Sequence, residues 1–322
     1  MSYIDLHCDT LMQAVLRQKR DLYAFPSAMV DLRRLEAAGC MAQFFAVFLP
    51  SPSMLAQYFP RYAGDDAYIA ACRRLLLESL ARRPETAAFA RSGAELLQNT
   101  RRGKVSCFLT IEDGRSVSGK LEKLEGYFDL GVRLITLTWN APNCFGFPSS
   151  DSPELMARGL TAFGREAVER MGELGMLVDV SHLSDGGFWD VAELCKGPFV
   201  ASHSNARALC PHRRNLTDKM LRALGDHGGV AGLNLAPFFV SPEGKSTAAG
   251  LARHARHMAD KGGLEAVSLG TDFDGVDGDM EMDSVHKLYL LWDALRDEGF
   301  SEDDVDRISH GNALRVIQEV LK

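Results

Sequence analysis

The chain has 322 residues, of which 46% are hydrophobic and 25% are charged, a globular composition that excludes disordered and fibrous proteins. The net charge of −7 argues against nucleic acid and anionic membrane surfaces as partners. The longest apolar run, Phe44 to Leu49, is far shorter than the roughly 20 residues of a membrane-spanning helix. Asp5, His7 and Asp9 interrupt the N-terminus, so we expect no secretory leader and a cytoplasmic location.

The cysteine content agrees with that location. Seven cysteines occur, an odd number, and no two of them form a CxxC pair. Scattered reduced thiols are therefore expected rather than a disulfide framework.

Eight short apolar segments recur along the chain, most of them bounded by Gly, Pro or charged residues, as strands are. Several are apolar at consecutive positions, which is typical of parallel strands covered on both faces. In chain order, the predicted strands are Tyr3–Asp9, Met41–Leu49, Val105–Glu112, Val132–Trp139, Met176–His182, Phe199–His203, Val230–Leu235 and Ala266–Asp272.

Segments with helical periodicity and helix-start patterns separate these strands. Ser92 with Glu95 fits a capping box, and Ser301 with Asp304 fits a weaker form of it. The apolar residues of the stretch Leu155–Leu174 fall largely on one helical stripe. The segment 50–103 is longer than one crossover needs, so we expect additional helices there.

Strands that alternate with helices predict a parallel sheet, and the count of eight predicts an α/β protein with a closed (β/α)8 TIM barrel. No linker, low-complexity segment or repeat is long enough to divide the chain. We therefore expect one domain over residues 1–322.

Side chains that bind metals fall at the ends of the predicted strands. They are His7 and Asp9 on the first strand, Glu112 on the third, His182 on the fifth, His203 on the sixth and Asp272 on the eighth. The carboxyl ends of TIM-barrel strands converge on one face, where active sites lie. The pattern therefore predicts a metal site at the mouth of the barrel.

Histidines and carboxylates together can hold two divalent ions. Imidazole suits zinc and similar metals. A carboxylate can bridge two ions that lie about 3.5–4 Å apart, as in binuclear hydrolases. Taken singly, His182 could equally be a hydrogen-bonded histidine, and His7 with Asp9 could be an ion pair.

With these residues in place, the sequence resembles the membrane (renal) dipeptidase family, peptidase family M19 of the metal-dependent amidohydrolases. The resemblance spans nearly the whole chain in the family's order. The matching stretches are Asp5–Asp9, Ile111–Gly114, Leu134–Thr138, Val178–His182, Ser202–Ser204, Arg213–Asn215, Gly270–Gly275 and Gly311–Val316.

The resemblance implies two zinc ions per chain. His7 and Asp9 would hold the first ion, and His182 and His203 would hold the second. Glu112 would bridge both ions together with a water or hydroxide. Two cations acidify a bridging water, which agrees with hydrolysis near neutral pH.

The resemblance also implies two roles beyond metal binding. Asp272 would be the catalytic acid and base, taking the proton of the bridging water and passing it to the leaving amine. Arg214 would bind the carboxylate at the C-terminal end of a dipeptide, since a guanidinium fits a carboxylate with two hydrogen bonds. Without the resemblance, Arg214 with Arg213 could be a basic pair on the surface.

One position departs from the family. Vertebrate members have a histidine that helps to stabilise the transition state directly after the run that here ends at Thr138. In this chain Trp139 stands there, followed by Asn140. Tryptophan has one N–H donor and no cationic form, so an aromatic wall of the substrate pocket is the expected role. Asn140 or Asn143 could supply the missing donor.

Three functions are open from the sequence. The first is a binuclear zinc dipeptidase that cleaves short peptides, including those with a D-residue at the C-terminal position, which the family accepts. The second keeps the metals but acts on another amide, an N-acyl amino acid or a lactone. The third is a metal-bound paralogue without catalysis that binds a ligand. The family often forms homodimers, although no interface pattern stands out here.

Two further clusters of polar residues suggest no chemistry. Residues 272–283 hold six acids but do not match an EF-hand, so beyond Asp272 and Asp274 we expect a solvated loop. His254 and His257 fall in a predicted helix beside two arginines, and we expect them on an exposed face rather than as a ligand pair.

Overall fold

A computed structural model describes all 322 residues. The barrel is built from eight parallel strands: β1 (Tyr3–Cys8), β2 (Cys40–Phe48), β4 (Val105–Glu112), β5 (Val132–Thr136), β6 (Leu177–Asp179), β7 (Val200–Ala201), β8 (Val230–Leu233) and β10 (Val267–Leu269). Around the barrel the order is β2, β1, β10, β8, β7, β6, β5 and β4. The barrel is closed, because β2 pairs with both β1 and β4. The predicted (β/α)8 TIM barrel is confirmed.

The predicted boundaries of the strands need correction at the mouth of the barrel. The sequence predicts that the fifth strand ends at His182, but β6 ends at Asp179. It predicts that the last strand ends at Asp272, but β10 ends at Leu269. His182 and Asp272 have φ angles of 67° and 62°. A left-handed backbone cannot continue a strand ladder, so both side chains lie in the turns that follow their strands.

Three short strands lie outside the barrel. β3 (Ala87–Phe89) extends the sheet beyond β4. β9 (Lys245–Ser246) and β11 (Asp279–Met280) pair with each other and connect the chain segments that follow β8 and β10. None of the three has the long apolar run by which the other strands were predicted.

Helices occupy most of the connections, including the expected ones in segment 50–103. The α-helices are α1 (Thr10–Leu16), α2 (Leu32–Ala37), α3 (Pro52–Tyr58), α4 (Asp65–Arg82), α5 (Gly93–Arg101), α6 (Leu121–Asp129), α7 (Pro153–Met156), α8 (Ala162–Leu174), α9 (Asp185–Leu194), α10 (Asp218–Asp226), α11 (Pro237–Val240), α12 (Ala248–Gly262), α13 (Tyr289–Asp297), α14 (Glu302–Asp306) and α15 (Asn312–Val320). No helix combines the length and the apolar character that crossing a bilayer requires.

The helix starts differ in detail from the predictions. Ser301 forms the complete capping box with Asp304. The Ser92 hydroxyl accepts from Glu95 N, but the Ser92 backbone N–H does not donate to the Glu95 side chain. Glu95 instead accepts from the backbone N–H of Arg91. The predicted stripe from residue 155 to residue 174 is divided between α7 and α8, and Leu155 at its start is exposed.

The C-terminal helix closes the barrel at the end where the strands begin. Val316 and Ile317 of α15 belong to the same buried apolar cluster as Leu177, Val200 and Val230, each the first residue of its strand. Apolar packing at this end leaves polar and charged side chains to the opposite end.

Glycines let the backbone close tightly near that polar end. A Cβ atom on Gly270 would lie 1.7 Å from the carbonyl oxygen of Ser202, and one on Gly232 would lie 2.1 Å from the same atom. By contrast, Gly172 in α8 is exposed, and a Cβ atom added to it would meet nothing within 4 Å.

We expect Gly270→Ala and Gly172→Ala to change stability in opposite directions. The first forces a methyl group against a backbone oxygen and should lower the free energy of unfolding by about 1–3 kcal/mol or more. The second restricts the unfolded chain and favours the helix, so it should raise that energy by about 0.4–1 kcal/mol. Denaturant unfolding of both variants measures the difference, and equal shifts would contradict this account of the barrel.

Candidate metal centre

The six predicted residues converge at the mouth of the barrel, with Glu112 in the middle. Glu112 Oε1 lies 3.0 Å from His182 Nε2 and 3.6 Å from His203 Nε2. Its other oxygen, Oε2, lies 3.5 Å from His7 Nε2. The two oxygens of one carboxylate therefore face different histidines.

His7 belongs to two groups of ligand atoms. Its Nε2 lies 3.5 Å from Asp9 Oδ2 and 3.9 Å from Asp272 Oδ1. Potential ligand atoms of His7, Asp9 and Asp272 all lie within 4.8 Å of one another, and so do those of His7, Glu112 and His203. The arrangement has the compactness that metal coordination requires.

The backbone around these residues is strained. Four of the six non-glycine residues with positive φ lie next to or within the cluster: Asp113, His182, Asp272 and Asp274. Hydrogen bonds hold them, since Ser149 N donates to the His182 carbonyl at 2.7 Å. Asp274 accepts from the Thr10 hydroxyl at 2.6 Å and from Met29 N at 2.7 Å. Such conformations cost energy and concentrate at functional sites.

The donor set fits a metal. Buried polar atoms normally have hydrogen-bond partners, yet several here have none within the protein: both ring nitrogens of His7, Nδ1 of His182, Nε2 of His203 and Oδ1 of Asp9. Imidazole nitrogens and carboxylate oxygens are the ligands that zinc and similar divalent ions prefer. A cation among these side chains would satisfy His7 Nε2, His203 Nε2 and Asp9 Oδ1. It would not satisfy Nδ1 of His7 or of His182, because in both rings Nε2 is the nitrogen that faces Glu112.

Arg214 lies buried beside the histidines with little of its hydrogen-bonding capacity used. Its Nη1 and Nη2 reach Ser204 Oγ at 3.5 Å and the His203 carbonyl at 3.4 Å, and its Nε has no partner. Burial lowers the pKa of Arg214 to about 10, which keeps it charged at neutral pH. Arg213, by contrast, pairs with Asp151 at 2.7 Å near the surface.

Trp139 stands at the edge of the cluster, partly exposed. Its ring packs edge-on against Phe48 at 4.8 Å between centroids and lies 6.3 Å from the His182 ring. Trp139 therefore forms an aromatic edge with Phe48 beside His182.

Asn140 and Asn143, which follow Trp139 in the chain, have different environments. Asn140 is exposed and lines a cleft of about 300 Å³ together with Ser149 and Arg213. The Asn143 amide donates to Asp113 Oδ1 at 2.7 Å and to the Leu137 carbonyl at 2.8 Å. Both of its N–H donors are thus engaged, and of the two only Asn140 has an amide that is free to meet a ligand.

Comparison with known proteins identifies the family. The whole chain, residues 1–322, matches the family described as membrane dipeptidase, peptidase family M19. This chain belongs to that family. Its members are metallopeptidases that act as dipeptidases, so a metal cofactor and a hydrolase activity are implied.

Individual relatives agree with this assignment. An uncharacterized dipeptidase of Schizosaccharomyces pombe is 31% identical over 97% of this chain and 79% of its own length. An uncharacterized Klebsiella pneumoniae protein is 36% identical over 70% of this chain and 86% of its own. The solved metallopeptidase of Rhodobacter sphaeroides, which carries a phosphinate mimic of L-Ala-D-Ala, superposes with a TM-score of 0.87 at 28% identity, covering 100% of this chain and 99% of that one.

Burial and neighbouring charges shift the pKa values of the residues in the cluster. Burial and the neighbouring Glu112 raise the pKa of Asp9 to about 8, and burial with Glu112 also raises that of Asp272 to about 6. Burial opposes charge on His7, but Glu112 and Asp9 outweigh it and raise the pKa of His7. Burial lowers the pKa of His182 to about 4, with Arg214 contributing.

Several supporting residues were missed by the sequence analysis. Asn234 donates to Asp272 Oδ2 at 3.0 Å and to the His203 carbonyl at 3.2 Å. Buried Asp5 accepts from Thr271 N at 2.9 Å and from the Thr271 hydroxyl at 2.7 Å. Asn234 lies near the end of the seventh predicted strand, so the strand-end rule that found the six cluster residues could have found it too.

The expectation for the two helical histidines was wrong in one case. His254 is buried: its Nδ1 accepts from Ala206 N at 3.1 Å, and its Nε2 lies 2.9 Å from the Val240 carbonyl. His257 pairs with Asp218 at 2.7 Å. Neither contacts the six cluster residues, and His254 instead links α12 to the loop before Arg214.

We expect binding of a divalent cation to tighten as the pH rises from 6 to 8. In the cation-free protein the raised pKa values of His7 and Asp9 keep protons on the cluster at neutral pH. A cation must displace these protons, so each one displaced makes affinity rise by about tenfold per pH unit. Calorimetry in buffers with different ionisation enthalpies counts the released protons, and equal affinity at pH 6 and pH 8 would contradict the protonated cluster.

Proposed function

We propose that the protein is a binuclear zinc dipeptidase that hydrolyses the peptide bond of short dipeptides. The observation that carries the proposal is the position of Glu112, with one oxygen toward His7 and the other toward His182 and His203. His7 and Asp9 would hold one ion, His182 and His203 would hold the second, and Glu112 would contribute one oxygen to each.

The ions would supply Lewis acidity, which makes a nearby water more acidic and the scissile carbonyl more electrophilic. Asp272 faces the same cluster through Oδ1, while its Oδ2 is held by Asn234. We assign Asp272 the proton transfer: it takes the proton of the attacking water and gives it to the leaving amine. A buried carboxylate with one oxygen anchored and the other directed at the reacting groups suits that role.

Arg214 is the proposed binding group for the free carboxylate of the substrate. A buried guanidinium with unused donors can form two charge-assisted hydrogen bonds to a carboxylate. Trp139 would bound the site on one side, and Asn140 would contact the substrate from the adjoining cleft. This arrangement would limit the substrate to one residue beyond the scissile bond.

The substrate class follows from Arg214 and from one relative. The phosphinate ligand of the Rhodobacter sphaeroides metallopeptidase mimics L-Ala-D-Ala. We therefore include L,D- as well as L,L-dipeptides among the proposed substrates of this chain.

We further propose that residues 1–322 act as one hydrolase domain. That the protein forms a homodimer stays a prediction.

Asp272→Asn should abolish most turnover. The wild type and the variant should each contain two zinc ions per chain. Asparagine tolerates the left-handed backbone at this position and can still accept from Asn234. It cannot take a proton, so kcat on a dipeptide should fall by about 10²-fold or more. Elemental analysis and steady-state assays of zinc-loaded protein test both parts. One ion per chain in the wild type would overturn the binuclear site. Near-native turnover of Asp272→Asn would overturn the proton transfer assigned to Asp272.

Replacing Arg214 with Met should impair hydrolysis of dipeptides much more than that of dipeptide amides. Losing a charge-assisted hydrogen bond costs about 1.5–3 kcal/mol, and leaving the substrate carboxylate unpaired adds to the loss. For a free dipeptide kcat/KM should fall by roughly 10²-fold or more, whereas an amide lacks the pairing from the start.

Arg213→Met is the matched control for this comparison, because Arg213 pairs with Asp151 near the surface. Arg213 also lines the cleft that holds Asn140, so any change in kcat/KM should be small and of equal size for the dipeptide and its amide. Equal losses on dipeptide and amide in Arg214→Met would indicate that Arg214 supports the fold or the metals. Equal hydrolysis of both substrates by the wild type would favour the second function, a metal-dependent amidohydrolase acting on other amides.

A further inference from the structure

Asp179, at the end of β6, is fully buried and accepts four hydrogen bonds. Its Oδ1 accepts from the backbone N–H groups of Ser181 at 2.9 Å and Ser202 at 2.8 Å. Its Oδ2 accepts from the hydroxyls of Thr136 and Ser202, each at 2.6 Å. Each backbone donor directly precedes one of the two histidines assigned to the second zinc ion.

The Ser202 hydroxyl connects this carboxylate to an imidazole. Ser202 Oγ lies 2.7 Å from His203 Nδ1. A hydroxyl has a single hydrogen, and Ser202 donates it to Asp179 Oδ2, so that hydrogen is directed at Asp179. The hydrogen between Ser202 and His203 must then belong to Nδ1.

The other ring nitrogen of His203 is left with its lone pair. Nε2 is buried, has no hydrogen-bond partner and lies 3.6 Å from Glu112 Oε1, on the side of the metal cluster. A histidine can ligate a metal only through a nitrogen that carries no hydrogen. The hydrogen-bond chain thus leaves the nitrogen that faces the cluster ready to coordinate.

We propose that Asp179 is a positioning residue that fixes the tautomer of His203 through Ser202 and so prepares the second cation site. The inference rests on the proposed function, because it assigns His203 to a cation. Asp179 touches neither substrate nor metal in this account. Its effect passes through the Ser202 hydroxyl, whose hydrogen points at Asp179 Oδ2 and therefore not at His203 Nδ1.

The variant Asp179→Asn tests the direction of that hydroxyl. Asparagine keeps an oxygen for the two backbone donors but places an NH2 group where Oδ2 stood. The amide must then donate to Ser202 Oγ, which turns the hydroxyl hydrogen toward His203 Nδ1. The ring is driven to the Nε2–H tautomer, and a hydrogen points at the cation site. A wrong tautomer of this kind is a known consequence of Asp-to-Asn changes behind catalytic histidines.

Two variants separate this effect from loss of a bond or of a charge. Thr136→Val removes one donor to Asp179 but leaves the bonds between Asp179, Ser202 and His203 intact. Asp5→Asn removes a similarly buried carboxylate that also accepts four hydrogen bonds, none of them linked to an imidazole nitrogen. Both variants should lose stability and keep the native tautomer of His203.

The tautomer can be measured without metal by two-bond ¹H–¹⁵N spectra of protein labelled at its nine histidines. The His203 signal is the one that disappears in His203→Gln. We expect the Nδ1–H form in the wild type, Thr136→Val and Asp5→Asn, and the Nε2–H form in Asp179→Asn. Zinc titration should show affinity for one ion about 10–100-fold weaker in Asp179→Asn, with the other ion unchanged.

Ser202→Ala provides a second test if Asp179→Asn does not fold, because it removes the relay and leaves both backbone bonds to Asp179 in place. It should weaken the same zinc ion and release His203 from a single tautomer. Retention of the Nδ1–H form in Asp179→Asn or in Ser202→Ala would overturn the proposal, and so would the Nε2–H form in Thr136→Val. Because the tautomer is measured in metal-free protein, finding only one zinc ion would overturn the binuclear function and leave this result standing.

Discussion

The burial of three carboxylates and three imidazoles in one small volume is the constraint on which the rest of the structure depends. Charged groups removed from water are costly unless opposite charges or hydrogen bonds compensate them. Glu112 illustrates the compensation: burial alone would raise its pKa, but His7 and His182 lower that pKa far below the ordinary range. The cluster is thus incomplete as a purely protein structure, and cations would replace the protons that hold it together.

The barrel brings the residues of this cluster together and supplies the stability that holds them there. His7 and Asp272 are far apart in sequence, yet β1 and β10 are neighbours, and Asp272 N donates to the His7 carbonyl at 3.2 Å. Apolar packing by α15 at the opposite end supplies stability that the polar mouth cannot. Strained residues such as His182 persist because bonds to neighbouring loops hold them, which is the usual division between a stable scaffold and a costly site.

Much of the fold and of the site could be predicted because two sequence patterns suffice: short apolar runs, and the polar residues at the ends of those runs. Apolar runs revealed the eight barrel strands, and the ends of those runs revealed the cluster residues. Neither rule places the final residue of a strand, since the left-handed turns at His182 and Asp272 depend on tertiary contacts. Neither rule finds Asp179, which lies inside the fifth predicted strand and accepts hydrogen bonds from Thr136 and Ser202, residues that are distant in sequence.

The same cluster explains why one glycine at the mouth carries no side chain. A Cβ atom on Gly275 would lie 2.1 Å from Asp9 Oδ2 and 2.6 Å from Asp272 Oδ1. Gly275 has no positive φ, so backbone conformation does not require glycine there. The requirement is space: bare backbone lets the loop lie directly against two carboxylates without displacing either. Side chains thus supply the chemistry of this mouth, whereas the close approach of its loops depends on the absence of one.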